Sequence, residues 1–175
     1  MLLAILAGLH AAHLLLTGNF HEVVAGELYR SSQPSPVEIA SMKRDYGIRT
    51  IINLRGAARG KAWYDDEVAA AKALDINHVD FPMSAARELN ADEATRLIAL
   101  MRDAPKPILI HCKAGADRTG LAAAFYAAGI AKLGELAAEQ QISITYGHFS
   151  IFFSSAYAMD RTFEMMEPAL GFPNS

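Results

Sequence analysis

Apolar and polar positions fall into blocks along this chain, and the blocks predict most of its elements. Three runs, 48–54 (IRTIINL), 78–83 (HVDFPM) and 107–112 (PILIHC), are short and apolar, as strands buried on both faces are. Pro82 ends the second run or places it at a sheet edge. Ser35-Pro36-Val37-Glu38 is a helix start, in which Ser35 caps, Pro36 suits the first helical position and Glu38 reaches back. That helix runs to about Tyr46, and Gly47 ends it. Residues 63–75 read as a second helix. Asn90 with Glu93 repeats the capping pattern before a third, which reaches about Arg102. The Ala-rich stretch 119–134 reads as a fourth helix opened at Gly120, and 135–146 and 149–167 as two more. Residues 19–35 carry a short strand or hairpin with turns.

Strands alternating with helices of this length imply parallel β-α-β units. The expected fold is a three-layer α/β domain over about 20–170, with a mostly parallel central sheet flanked by helices and no internal linker. Ligands in such sheets sit outside the carboxyl ends of the strands. Three loops meet on that rim: 55–61, 84–89 and 112–119.

The first 18 residues carry no Lys, Arg, Asp or Glu, which is about the shortest length that spans a bilayer. The segment reads as a membrane anchor or signal, with residues 19–175 as the folded domain and a membrane-anchored or extracytoplasmic location. Against this, the basic n-region of a signal is missing, and His10 and His13 interrupt the run. The alternative is an N-terminal helix packed on a cytoplasmic domain. The whole chain of 175 residues has a net charge of −3, which makes no case for nucleic acid or an anionic surface.

The only cysteine, Cys112, closes the third strand, so it is a free thiol: a small buried hydrophobe or a nucleophile. The loop after it passes through Gly115 and enters a helix at Thr119-Gly120. Successive N–H groups in such a turn form an anion nest, and the helix N-terminus adds partial positive charge. Arg118 offers a planar fork matched to two phosphate oxygens. The field that attracts a phosphoryl dianion also stabilises a thiolate beneath it, which makes Cys112 a phosphoryl acceptor. Thr119 is placed to donate to the sulfur when it leaves, and His111 to orient the loop.

The stretch 111–120, HCKAGADRTG, resembles the H-C-x5-R-[S/T]-G signature of the cysteine-dependent protein tyrosine phosphatases, in their dual-specificity branch. LYRSSQP, GIRTIINLRG and DFPMS also resemble segments of bacterial members, so the likeness spans about 28–125. The resemblance implies hydrolysis of phosphomonoesters through a phosphocysteine, with no metal and no cofactor. It assigns Cys112 as nucleophile and Arg118 as phosphate clamp. Lys113, Ala114, Gly115, Ala116, Asp117 and Arg118 become the phosphate cradle, and Thr119 the helper for sulfur departure.

The leaving oxygen needs a proton. The family usually supplies an Asp from the loop before the signature, near Ser84 or Ala85, and none stands there. There are three candidates, Glu88, Asp92 and Asp117, of which Glu88 and Asp117 share first place. Glu88 lies in that loop. Asp117 lies in the cradle, where myotubularin-type signatures resembling this one also carry Asp. Asp92 is expected to support a helix N-terminus and Asp80 to have a structural partner.

Other patterns change the picture less. GAARGK (56–61) is one residue short of a nucleotide-binding P-loop, and Ala62 replaces its Ser or Thr. Arg55, Arg59 and Lys61 are a solvated basic loop or receive extra phosphates, and Arg87 contacts substrate or forms a surface ion pair. Lys113 resembles the lysine of inositol-lipid phosphatases, whereas Ala116 stands where their pattern has a base. The six histidines lack metal spacing, with His21, His78 and His148 isolated, and 146–166 reads as the core face of a terminal helix. The expected substrate is a phosphorylated protein or a small phosphomonoester, with Tyr or Ser/Thr phosphate in proteins first. A phosphoinositide or inositol-polyphosphate phosphatase is the alternative. A phosphate-binding module with little turnover and a sulfurtransferase are the readings from other classes.

Overall fold

The computed structural model describes the backbone of residues 1–173 and, outside residues 2–4, their side chains. Helix α1 (Leu2–Leu16) comes first. Strand β1 (His21–Val24) and strand β2 (Leu28–Ser31) follow as an antiparallel hairpin. Then come α2 (Pro36–Tyr46), β3 (Thr50–Asn53), α3 (Ala62–Ala73), β4 (Asn77–Asp80), α4 (Ala91–Asp103), β5 (Ile108–His111), α5 (Asp117–Phe125), α6 (Glu135–Glu139) and α7 (Ala158–Leu170). The sheet order is β1-β2-β5-β3-β4, and every pair beyond the hairpin is parallel. This is the expected three-layer α/β architecture.

All four residues of β2, β3 and β5 are buried, in keeping with the apolar runs of β3 and β5 and in spite of Arg30 and Ser31 in β2. Leu121, the three alanines that follow and Phe125 are inaccessible, so α5 lies close against the sheet. The predicted caps form. In α2 the Glu38 amide donates to Ser35 Oγ at 3.3 Å and the Ser35 amide donates to the Glu38 carboxylate at 2.7 Å. In α4 the reciprocal Asn90–Glu93 pair is 2.9 Å each way. Gly47 ends α2 in the left-handed conformation.

Four expectations are corrected. The second strand runs Asn77–Asp80 and stops short of Pro82. The predicted helix over 119–134 starts at Asp117 and passes into a π turn over Tyr126–Ile130. The predicted helix over 135–146 is only Glu135–Glu139, because the Gln141 carbonyl is taken by the Arg30 guanidinium at 2.9 Å instead of a helical amide. The one over 149–167 begins at Ala158, where the buried stripe Met159, Phe163, Met166 and Leu170 begins; Phe149, Phe152 and Phe153 lie before it and are exposed.

Helix α1 has 15 residues, about 22 Å at 1.5 Å each, against a hydrocarbon core of about 30 Å. Among the described residues no helix is long and apolar enough to cross a membrane. α1 instead lies on the domain: His10 Nε2 donates to the Ile144 carbonyl at 2.8 Å, and the Asn19 amide closes the turn after it on the Leu14 carbonyl at 2.8 Å.

Candidate active site

The rim loops converge at the carboxyl end of β5, where Cys112 is 2% exposed. The loop beyond it crosses Gly115 at φ +72°, a conformation that glycine adopts without cost. A Cβ there would stand 2.7 Å from the backbone of Ser31 and Ser32, so the loop is pressed onto the end of β2.

The outer side of this loop is pinned carbonyl by carbonyl. The Gln33 amide donates to the Lys113 carbonyl at 3.3 Å. Asn19 Nδ2 donates to the Ala114 carbonyl at 3.0 Å. Arg30 Nη2 donates to the Gly115 carbonyl at 2.9 Å, and the Gly120 amide donates to the Ala116 carbonyl at 2.7 Å. A trans peptide points its N–H opposite its C=O. Fixing four successive carbonyls outward therefore turns the amides of 114–117 to the other side, into the ring that ends at the N-terminus of α5. Arg30 is itself inaccessible, stacks 3.8 Å over the Tyr146 ring, and also binds the Gln141 carbonyl. Burial pulls its pKa down to about 10, with Tyr146 and Cys112 opposing, so it stays cationic at neutral pH. Neither Arg30 nor Asn19 was singled out from the sequence, although Arg30 lies within LYRSSQP.

Where the loop meets α5, two buried donors have no partner, Arg118 Nε and Thr119 Oγ1, and behind the loop Arg30 Nε has none either. Arg118 is steadied at its other end, where Nη1 donates to the Met83 carbonyl at 3.3 Å. Buried polar groups are normally satisfied. These two are free to meet an oxyanion and a sulfur.

His111 orients the strand end. Its Nε2 donates at 3.0 Å to Glu67 of α3, which also accepts from His78 at 2.7 Å and from Gln33 Nε2. Glu67 is fully buried. Burial pushes its carboxyl up, but the hydrogen bonds from His111, His78 and Gln33 and the His111 charge outweigh that and hold it at about 2. Gln33 accepts in turn from Arg55 Nη1 at 2.7 Å, and Arg55 stacks 3.3 Å over Trp63. His78 is thus not isolated. The one signal for Glu67 in the sequence is its spacing from Tyr64 and Ala71 on the buried face of α3.

His148 is not isolated either. It is inaccessible, and its Nδ1 donates to Asp117 and its Nε2 to Asp160, each at 2.8 Å. Burial lowers its pKa, but the two carboxylates more than reverse this and raise it to about 9, so it is an imidazolium at neutral pH. Asp117 opens α5 within the cradle with its side chain 31% exposed. Glu88, the other candidate acid, is exposed and paired with Arg161 of α7. Of the remaining residues, Arg87 forms a surface pair with Glu93 at 3.0 Å. Asp80 accepts from Asn53 at 2.8 Å and from the Tyr64 hydroxyl at 2.6 Å. Lys113, Arg59 and Lys61 are exposed.

A strand-loop-helix cradle of this kind, with a cysteine at its foot and an arginine at its close, defines a phosphatase of the cysteine-dependent tyrosine and dual-specificity superfamily. The chain belongs to the family described as DSP-PTPase phosphatase fused to NAD+ kinase, whose model matches residues 18–151. No curated protein matches it in sequence. The fold is shared with a Cys-to-Ser form of P. aeruginosa TpbA in complex with pTyr, at TM-score 0.68 and 23% identity over 91% of this chain and 93% of that one. The core catalytic domain of the S. cerevisiae PP-IP phosphatase SIW14, in complex with citrate, is similar at TM-score 0.64 and 20% identity over 89% and 94%. PTPMT1 is similar at TM-score 0.61 and 14% identity over 86% and 97%.

Proposed function

We propose that this chain hydrolyses phosphomonoesters through a phosphocysteine at Cys112. The observation that carries the reading is the outward pinning of four successive loop carbonyls, which leaves the matching amides to hold the phosphoryl oxygens. The thiolate attacks phosphorus in line, an S–P bond forms and the bond to the ester oxygen breaks. Arg118 spans two equatorial oxygens. Asp117, a carboxylate hydrogen-bonded to His148, relays a proton from the His148 imidazolium to the leaving oxygen, so that Asp117 ends as a carboxylate and His148 as a neutral imidazole that keeps its second hydrogen bond to Asp160. Water then attacks phosphorus, Asp117 takes its proton, and Thr119 Oγ1 donates to the departing sulfur.

Both an aryl and an alkyl monoester fit this chemistry, and the pTyr bound to TpbA supports the former. Ala116 supplies no charge for a second phosphate, and Arg59 and Lys61 stand exposed, so the site matches one phosphate rather than a polyphosphorylated inositol. A phosphorylated protein side chain is therefore favoured over the inositol alternative. The decisive experiment uses Cys112→Ser. It should retain phosphate binding and lose p-nitrophenyl phosphate turnover; turnover that survives refutes the nucleophile, and a wild-type chain without turnover refutes the enzyme.

A further inference from the structure

His148 is inaccessible and sits between two carboxylates, with Asp117 of the cradle on Nδ1 and Asp160 on Nε2, each at 2.8 Å. The two carboxylates differ in setting. Asp117 opens α5, and its side chain is 31% exposed. Asp160 lies in the first turn of α7, 12 residues beyond His148, and its side chain is 13% exposed. Burial pushes the Asp160 carboxyl up, but hydrogen bonds from His148 and Ser150 and the His148 charge outweigh that and hold it below the usual carboxylate value. It is therefore ionised at neutral pH. Asp160 also lines a small cavity of about 190 Å³, together with Glu139 of α6 and Glu164 and Glu167 of α7. No lysine or arginine is among the described lining residues, so that side adds no positive charge against the imidazolium. Arg161, next to Asp160 in α7, is paired with Glu88. Tyr157 is kept neutral, chiefly by the Glu164 charge, which raises its hydroxyl.

We propose that Asp160 is a positioning residue for the proton relay: it holds the Nε2–H of His148, so that Nδ1 alone releases and recovers the proton, and it sets the upper pH limit of activity on poor leaving groups. The inference rests on Asp117 as the acid and adds the residue that keeps the relay charged and aimed. In the first step the Nδ1 proton passes through Asp117 to the leaving oxygen, and His148 becomes a neutral imidazole with its remaining proton on Nε2. In the second, a proton from the attacking water returns through Asp117 to Nδ1, and the imidazolium is restored. A neutral imidazole has one N–H, and the acceptor it meets decides which nitrogen carries it. A buried carboxylate at Nε2 decides it here, as the buried aspartate does for the histidine of a Ser-His-Asp triad. The same anion favours the charged ring, so Asp160 keeps the relay loaded to a higher pH. Asp117 cannot serve as the fixed acceptor, because its oxygens must carry the proton onward.

The test is the pH profile of kcat/KM from pH 6 to pH 10 on two substrates, an alkyl phosphate and p-nitrophenyl phosphate, whose leaving group departs without a proton. In the wild type the alkyl rate should fall relative to the p-nitrophenyl rate as pH rises through about 9, where His148 loses its charge. In Asp160→Asn that fall should come about 1–2 pH units lower. The alkyl-to-p-nitrophenyl ratio should then lie about tenfold below the wild-type ratio at pH 8.5, and within about threefold of it at pH 6. Asp160→Glu keeps the charge and should return the fall toward its wild-type pH. The ratio is internal to each protein, so a general loss of rate or stability leaves it unmoved. Should Asp160→Asn not fold, nitrogen-15 NMR of ring-labelled wild type reads the same assignment: His148 titrates near 9, and its neutral ring is protonated on Nε2. A neutral ring protonated on Nδ1 overturns the proposal, as does a ratio with the same pH dependence in wild type and Asp160→Asn. An Asp117→Asn protein without the contrast between the two substrates marks failure of the acid itself rather than of Asp160.

Discussion

Replacing His148 by Gln removes an imidazolium from between two carboxylates, and the cost should depend on pH in a way that packing alone cannot imitate. The group moves from about 6.5 in the unfolded chain to about 9 in the fold. Its protonated form therefore stabilises the native state fully below pH 6.5, and the contribution is lost as pH rises through 9. Two and a half units at about 1.36 kcal/mol each give about 3 kcal/mol below pH 6. Solvent around the partly exposed Asp117 trims this to about 2 kcal/mol. The assay is urea unfolding followed by fluorescence of the only tryptophan, Trp63, from pH 6 to pH 10. With an m-value of about 2 kcal/mol per molar, the wild-type midpoint should exceed that of His148→Gln by an extra molar or so at pH 6 relative to pH 10. A difference between the two proteins that stays constant over that range refutes the charged bridge. A neutral imidazole held by packing would give that result.

Asp117→Asn should slow alkyl phosphates far more than p-nitrophenyl phosphate, whose good leaving group departs without a proton, while Glu88→Gln should show no such contrast; the reverse pattern moves the acid to Glu88. Arg30→Met should cost about 2–4 kcal/mol in urea unfolding and weaken phosphate binding, because the Gly115 and Gln141 carbonyls lose a buried cationic donor. Glu67→Gln should flatten the acid limb of stability. With its carboxyl held at about 2 against 4.5 unfolded, the wild type gains about 3 kcal/mol that is present above pH 4.5 and is lost as pH falls through 2, and the variant lacks that slope.

The legible parts of the molecule were those governed by local rules. The caps at Ser35 and Asn90 form because their partners sit three residues away, and β3 and β5 read correctly because strands buried on both faces leave a continuous apolar run. The cradle's loop was legible because glycine and arginine are placed there by backbone geometry and charge. What lay hidden depends on chain-distant pairs. Arg30 reaches the cradle across 85 positions, and Asn19 across 95. Glu67 lies within the predicted helix over 63–75, and its partners His78 and His111 come from β4 and β5, which no local pattern announces. The 149–157 segment was misread because its aromatic residues suggested a buried face, whereas Phe152 and Phe153 are 76% and 92% exposed.

The borrowed support of the cradle has a consequence for anyone who would transplant it. A peptide spanning 108–126 contains every letter of the signature, yet Asn19, Arg30, Gln33, Glu67 and His148 all lie outside it. Grafted onto another scaffold, that stretch would arrive without the struts that aim its amides, and it should behave as a thiol on a floppy hinge. Competence here is a property of the whole assembled tertiary structure, acquired only when the two chain ends have closed around the ring.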